Sequence, residues 1–229
     1  MCGLGFLVLL GPTLCLAAAP AAPVATSGEC SAAHAGVTLC LYRSLLPSAG
    51  LVSSCRGADD CRIGYYYGNP TDAVWLTLPP GMTTFPRPDV FWLTATLAQI
   101  RVDCGPHCSW SYFYEATRRR VSEPRRSVLA VDVRRLLMAV VEERALVVRQ
   151  IFSAREVARI ERDWAADVWL GEAITAVHFD PDGRLSFTWR RGKEREPVSE
   201  RVSVPSVPRS SGISCPRPRF VETVSDSRH

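Results

Sequence analysis

Charge is missing from the first 28 residues, and Glu29 is the first charged side chain in the chain. The whole net charge of +4 therefore belongs to residues 29–229. A second long apolar run is missing too. One stretch, Leu4 to Leu16, is uncharged and largely apolar, and it is shorter than the ~20 residues a spanning helix needs. That excludes a polytopic helical membrane protein. Lysine is nearly absent: Lys193 is the only one among 27 basic residues. The arginines cluster at expected strand ends and turns, as Arg118 to Arg120, Arg125–Arg126, Arg134–Arg135 and Arg190–Arg191. Guanidinium groups grip phosphate and carboxylate as a fork. Against 23 acidic residues, however, the basic set is largely offset, and a GC-rich coding sequence also favours arginine. A nucleic-acid partner is not expected.

Catalytic signatures are missing as well. The chain has no Gly-x-Ser-x-Gly elbow, no His-Glu-x-x-His, no Walker loop and no Gly-x-Gly-x-x-Gly. Its histidines, His34, His107, His178 and His229, are scattered, whereas a zinc site wants four ligands in paired clusters. Three carboxylate pairs occur: Asp59–Asp60, Asp163 with Asp167, and Asp180 with Asp182. Glycoside hydrolysis uses two carboxylates flanking one bond, but nothing in the sequence brings these pairs into a cleft, and Asp180 and Asp182 read as turn formers. No catalytic, cofactor-binding or metal-binding residue is assigned.

What the N-terminus does have is the pattern of a secretory leader. "FLVLLGPTLCL" is an apolar core, followed by the small-residue zone "AAAPAAPVAT". The lack of Lys or Arg ahead of the core departs from the usual pattern. Leu14 is too bulky for the position before a lipidated Cys15. Cleavage is expected to leave a mature chain starting between Ala18 and Thr26, without a transmembrane segment and exported to the periplasm or beyond. About 205 residues remain, enough for one domain with a real core or two small ones.

Export decides how the nine cysteines read. Cys2 and Cys15 leave with the leader. In an oxidising compartment, closely spaced cysteines read as disulfides. Proximity pairs Cys30 with Cys40, Cys55 with Cys61 and Cys104 with Cys108, leaving Cys215 over. Six cysteines allow about 15 connectivities, and the short turn of "DCGPHC" makes Cys104–Cys108 the firmest pair. Thiol oxidoreductases use Cys-x-x-Cys at a helix N-terminus. Here three residues intervene, and the flanks "LAQIRVD" and "SWSYFY" are strand-like. A staple across a β-hairpin turn fits better, with Ile100 and Val102 on the core face.

The chain divides into four stretches: a leader (1–25), a small Cys-rich region (26–89), a main β domain (90–207) and a Pro/Ser-rich tail (208–229). In the second, Arg62–Tyr67 and Ala73–Leu78 are strand-like around the turn Gly68-Asn69-Pro70, and "LPPGMTTFPRPDV" reads as an extended connector to the main domain. "VTLCLYRSLLP" reads as one strand or a short helix. The tail is expected to lack packed structure. Within 90–207, three stretches each open with an apolar strand ending at an aspartate, Asp103, Asp132 or Asp180. Each then turns into a second and a third strand. Leu136 and Leu185 both follow an arginine after the turn, and Asp182-Gly183 is a hairpin signal. "SAREVARIERDWAADVW" fits two patterns. Ser153 and Glu156 have capping-box spacing, with Val157, Ile160 and Trp164 at helical spacing. The strand pattern instead makes "EVARIER" the partner of "ALVVRQIF", and it is preferred because that strand needs a partner nearby.

The stretches "LAVDVRRLLMAVVEERALVVRQIFSAREVARI" and "VHFDPDGRLSFTWRRG" resemble blades of WD40-like β-propellers. The resemblance covers about residues 95–205 and lacks the Trp-Asp and Gly-His signatures. A closed propeller takes at least four four-stranded blades. A partial propeller, an eight- to ten-stranded β-sandwich and an oligomer completing the ring are all compatible with an all-β meander of antiparallel strands in blade-like repeats, stabilised by the disulfides read from the cysteine spacing, and the resemblance implies a binding scaffold acting through its loops.

The functional expectation is an exported bacterial envelope protein that binds a protein or cell-envelope ligand, an inhibitor of an envelope hydrolase being one form of this. The alternative is a cell-wall-active hydrolase or a thiol redox enzyme with an unrecognised site. Six tryptophans, Trp75, Trp92, Trp110, Trp164, Trp169 and Trp189, with Tyr65–Tyr67, include the side chains a sugar-stacking platform would use. In a β protein most such residues belong to strand faces and core.

Overall fold

The computed structural model describes residues 24–25, 28–33, 36–153, 155–164, 169–191 and 196–206. The tail, Cys215, His34, His229, Asp167, Lys193 and nearly all of the leader lie outside the described residues. Strand follows strand in chain order. β1 (Val24–Ala25) joins a sheet formed later. β2 (Glu29–Ala32), β3 (Val37–Arg43), β4 (Ala49–Arg56), β5 (Cys61–Tyr67) and β6 (Val74–Trp75) form the first sheet in that order. β7 (Asp89–Trp92), β8 (Leu97–Gly105), β9 (Cys108–Glu115), β10 (Arg120–Val121) and β11 (Arg125–Arg126) form the second. Its order is β1-β7-β8-β9-β10, with β11 also on β9. The third sheet is β12 (Val128–Asp132), β13 (Leu137–Glu142), β14 (Ala145–Gln150) and β15 (Glu156–Ile160). One helical turn, α1 (Leu170–Ala173), precedes the fourth sheet: β16 (Ile174–Phe179), β17 (Arg184–Arg191) and β18 (Glu196–Ser203). Every strand pair in the four sheets is antiparallel.

The sheets stack face to face in chain order, and side-chain alternation along the strands builds the layers. In the second sheet Ala98, Ile100, Val102, Tyr112 and Tyr114 point toward the first sheet, meeting Tyr42, Leu51 and Ile63. Leu97 and Phe113 point the other way, onto Met138, Val140 and Val147 of the third sheet. Leu137, Ala139, Leu146 and Val148 leave the opposite face of the third sheet to meet Leu185, Phe187 and Trp189 of the fourth. The two central sheets are thus packed on both faces, and in the third sheet two strands read as unbroken apolar runs, "LMAVV" and "ALVV". β17, in an outer sheet, keeps the alternation of buried and open positions.

Among the described residues no sheet closes into a barrel and the four sheets form no closed propeller. The architecture is all-β, a series of antiparallel meanders. The expected boundary between residues 89 and 90 does not separate two cores. Cys40, Leu51 and Ile63 share one buried cluster with Phe85, Val90 and Ile100, and Cys61 bridges Phe85 within the connector. The physical reason is that the second sheet has an apolar face too large to leave open, and the first sheet covers it. Val24 and Ala25, inside the stretch assigned to the leader, pair with Trp92 and Phe91. "EVARI" is a strand on β14, not a helix. Ser153 accepts from the Arg155 N–H and donates to Gln150, so it makes a turn. "VTLCLYR" is strand β3, and Asn69 caps a short 3-10 turn at Pro70–Asp72.

Candidate binding groove

The six cysteines among the described residues come together in three pairs: Cys30 with Cys40, Cys55 with Cys61, and Cys104 with Cys108. The first two sit directly opposite each other on neighbouring strands, with Cα atoms 4.0 and 3.9 Å apart. Cys104 and Cys108 straddle the β8–β9 turn, Cα to Cα 5.1 Å. Gly105 and Cys108 pair across Pro106 and His107. His107 has φ +59°, the conformation a type II turn demands after a proline. Strand β9, not a helix, begins at Cys108, so neither cysteine stands at the N-terminus of a helix that continues the motif. The tip instead joins distant parts of the fold. His107 Nε2 lies 2.9 Å from Glu172 Oε1 of α1, and its ring lies 6.2 Å from that of Trp169.

Asp180 and Asp182 are turn residues, and the pair Asp163 with Asp167 is not described because Asp167 lies outside the described residues. Asp180 accepts from Ser186 Oγ at 2.7 Å and from Arg201 Nε at 2.6 Å. Those two contacts, the serine bond first, hold its carboxyl below the ordinary aspartate range. Asp182 accepts from the Arg184 N–H and from Arg201. Both thus close the β16–β17 turn and tie it to β18. Glu200 is held low by the Arg162 guanidinium and, secondarily, by the Trp189 indole N–H. Among the described residues no three of His, Cys, Asp and Glu converge as metal ligands.

The aromatic set splits by position. Trp164 and Trp189 meet edge to face at 5.1 Å inside the core between the third and fourth sheets. Trp92 packs against the first core, and Tyr65 stacks on Tyr114 there. Tyr66 is buried, while Tyr67 stands out at the sheet end under the Arg119 guanidinium, 3.6 Å away. The six tryptophans form no common platform. Trp75 and Trp169 are the exposed ones, at 37% and 39%.

Trp75 belongs to a constructed surface. Register places Leu41, Val52, Gly64 and Trp75 in one row across β3, β4, β5 and β6. That row lies on the outer face of the first sheet, opposite the buried Leu51 and Ile63. A Cβ on Gly64 would come within 3.1 Å of the indole and 2.8 Å of the Val74 carbonyl. Glycine is what lets the ring lie down on the strand. Val52, though on the outer face, is buried. Arg62, two residues before Gly64 on the same face, holds its guanidinium 4.5 Å from the indole centroid. Beyond them the chain returns through Leu76, Leu78, Thr83, Thr84 and Phe85, leaving a groove of about 210 Å³ bordered by Asp60. Neither Arg62 nor Asp60 forms an ion pair among the described residues.

The sequence reading weighed Asp60 only as half of the Asp59–Asp60 carboxylate pair and did not single out the side chain of Arg62 or the threonines. A signal was present: Gly64 inside the strand "CRIGYYY" marks a close backbone approach. What lies over that glycine is set by a strand ten residues later, which spacing alone does not reveal. No protein-family model matches the chain, and no curated protein or solved structure matches it either.

Proposed function

We propose that this chain is an exported binding module of the bacterial envelope and that the Trp75 groove is its ligand-contacting surface. The observation that carries this reading is the unspent chemistry of the groove. An exposed indole, a guanidinium and a carboxylate, neither charge ion-paired among the described residues, share one concavity. Asp180, Asp182 and Glu200, by contrast, are each held by partners within the fold. Export is supported by the apolar stretch at Leu4–Leu16 and by three disulfides, which persist in oxidising compartments.

The test compares the wild-type protein with Trp75→Ala on an envelope fraction from the producing cell. Retention by the wild type and loss in the variant, with near-ultraviolet circular dichroism otherwise preserved, is the expected result. Equal retention of both would remove the groove from the function.

A further inference from the structure

We propose that the groove recognises a carboxylate-bearing saccharide, with one acidic sugar ring seated against Trp75 and its carboxylate held by Arg62. This rests on the reading of the groove as the binding surface. Three features of the groove select this chemistry. First, Arg62 lies 4.5 Å from the indole centroid and has no anionic partner among the described residues. A guanidinium stacked on a ring uses its π face and keeps its in-plane N–H donors free, and those donors match a carboxylate as a fork. Second, the part of the indole that Gly64 and Arg62 leave uncovered, with Trp75 exposed at 37%, offers an aromatic edge and surface against which the C–H face of a pyranose packs. Third, Asp60, Thr83 and Thr84 border the same space. A carboxylate accepts from sugar hydroxyls, and threonine hydroxyls both donate and accept.

A peptide fits the same surface less well. Strand addition needs a run of free backbone at a sheet edge, and β6 offers two residues, Val74 and Trp75. The concavity of about 210 Å³ takes one ring rather than a series of side chains. Asp60 opposes a second negative charge inside the groove, so the one ring seated there carries a single acidic group and several hydroxyls, as each uronic acid unit does, with further units lying outside the groove. The net charge of +4 does not by itself select for it; the selectivity is local to Arg62.

The experiment uses the full chain as exported and three probes: a galacturonic acid tetrasaccharide, the same tetrasaccharide after reduction of its carboxyls to alcohols, and an acetylated tetrapeptide with a free C-terminal carboxylate. Binding is read by isothermal titration at low and moderate salt. The acidic saccharide is expected to bind at least ~10-fold more tightly than its reduced form, with the difference weakening as salt rises. Arg62→Gln should remove that preference, reducing binding of the acidic form on the order of 10- to 100-fold. Arg62→Lys, which keeps the charge but not the fork, should restore it only partly. Circular dichroism and melting of each variant exclude a folding defect. Equal binding of the acidic and reduced forms overturns the carboxylate assignment, and so does an unchanged preference in Arg62→Gln. Binding of the peptide as tight as that of the acidic saccharide overturns the saccharide class. If no probe binds while Trp75→Ala still abolishes envelope retention, the ligand class is wrong and the groove reading survives. If Trp75→Ala changes neither, both fall.

Discussion

Arg135 Nη2 donates to the Gly183 carbonyl at 2.6 Å, tying the β12–β13 turn of the third sheet to the β16–β17 turn of the fourth. The same guanidinium donates through Nε to Asp132 Oδ2 at 2.6 Å. Asp132 in turn accepts the Arg134 and Arg135 backbone N–H groups through Oδ1. One side chain therefore closes its own turn and clamps the next sheet. Arg135→Ala should lower stability by about 2 to 3 kcal/mol, the scale of hydrogen bonds to charged groups. Arg135→Lys should recover less than half, because an ammonium cannot span both acceptors. Urea denaturation reads this as a lower midpoint with an unchanged slope. A loss under ~0.5 kcal/mol, the range of an ordinary surface substitution, would show that the clamp adds little.

Glu143 turns the corner between β13 and β14 at φ +53°, exposed and non-glycine. The left-handed region costs an L-residue roughly 1 to 2 kcal/mol, and asparagine tolerates it better. Glu143→Asn should therefore raise stability by about 0.5 to 1 kcal/mol. Leu136 sits at φ +55° but packs against the core between the second and third sheets. Leu136→Asn should destabilise, because lost burial outweighs relief of the backbone. Thermal melting of the two variants should move in opposite directions. Movement in the same direction would contradict the separation of strain from packing.

Acid should loosen the fourth sheet. Glu200 is held low chiefly by the Arg162 guanidinium, which it meets at 2.8 Å. A depressed folded pKa contributes stability that is fully present above the unfolded value, near 4.3 for glutamate, and is lost as pH falls through the folded one. Asp180 is shifted the same way. Stability of the wild type should therefore fall as pH drops below about 5. Glu200→Gln should be less stable at neutral pH and should show a shallower decline, so that the two proteins converge in acid. Parallel curves over that range would remove Glu200 from the acid response.

How much of this was legible in the sequence depends on periodicity. β16, β17 and β18 keep the alternation that marks a half-buried strand, and the Asp182-Gly183 turn between the first two is visible as a dipeptide. The preference for a strand at "EVARI" rested on its neighbour's need for a partner, which β14 shows. The stacking was not legible. "LMAVV" and "ALVV" are apolar at every position because both faces are covered, and an unbroken run does not say by what. Matching Leu136 to Leu185 also misled. Leu136 is a turn residue with positive φ, like Gly183, whereas Leu185 is a fully buried strand residue. The groove depended on register: Trp75 reaches Gly64 only because β6 returns antiparallel along β5.

The Cys104–Cys108 bridge should act as a staple without turnover. A reactive thiol needs a stabilised thiolate, commonly at a helix N-terminus, and here strands lie on both sides of the turn. The bridge closes a loop with a sequence separation of 4, which the chain-entropy account values at about 2 kcal/mol. Cys104→Ser with Cys108→Ser should lose roughly that amount. Part of the loss should travel through His107, because the bridge fixes the turn that presents His107 to Glu172. Adding His107→Ala to the serine pair should therefore cost less than His107→Ala alone, a non-additivity expected of residues sharing one contact. Ligand binding at the Trp75 groove should be unchanged, since the groove is built on β5, β6 and the connector rather than on the β8–β9 turn. Incubation with insulin and a reducing thiol should show no catalysed reduction beyond the background rate. Turnover in that assay, abolished by the serine pair, would make this turn a redox centre.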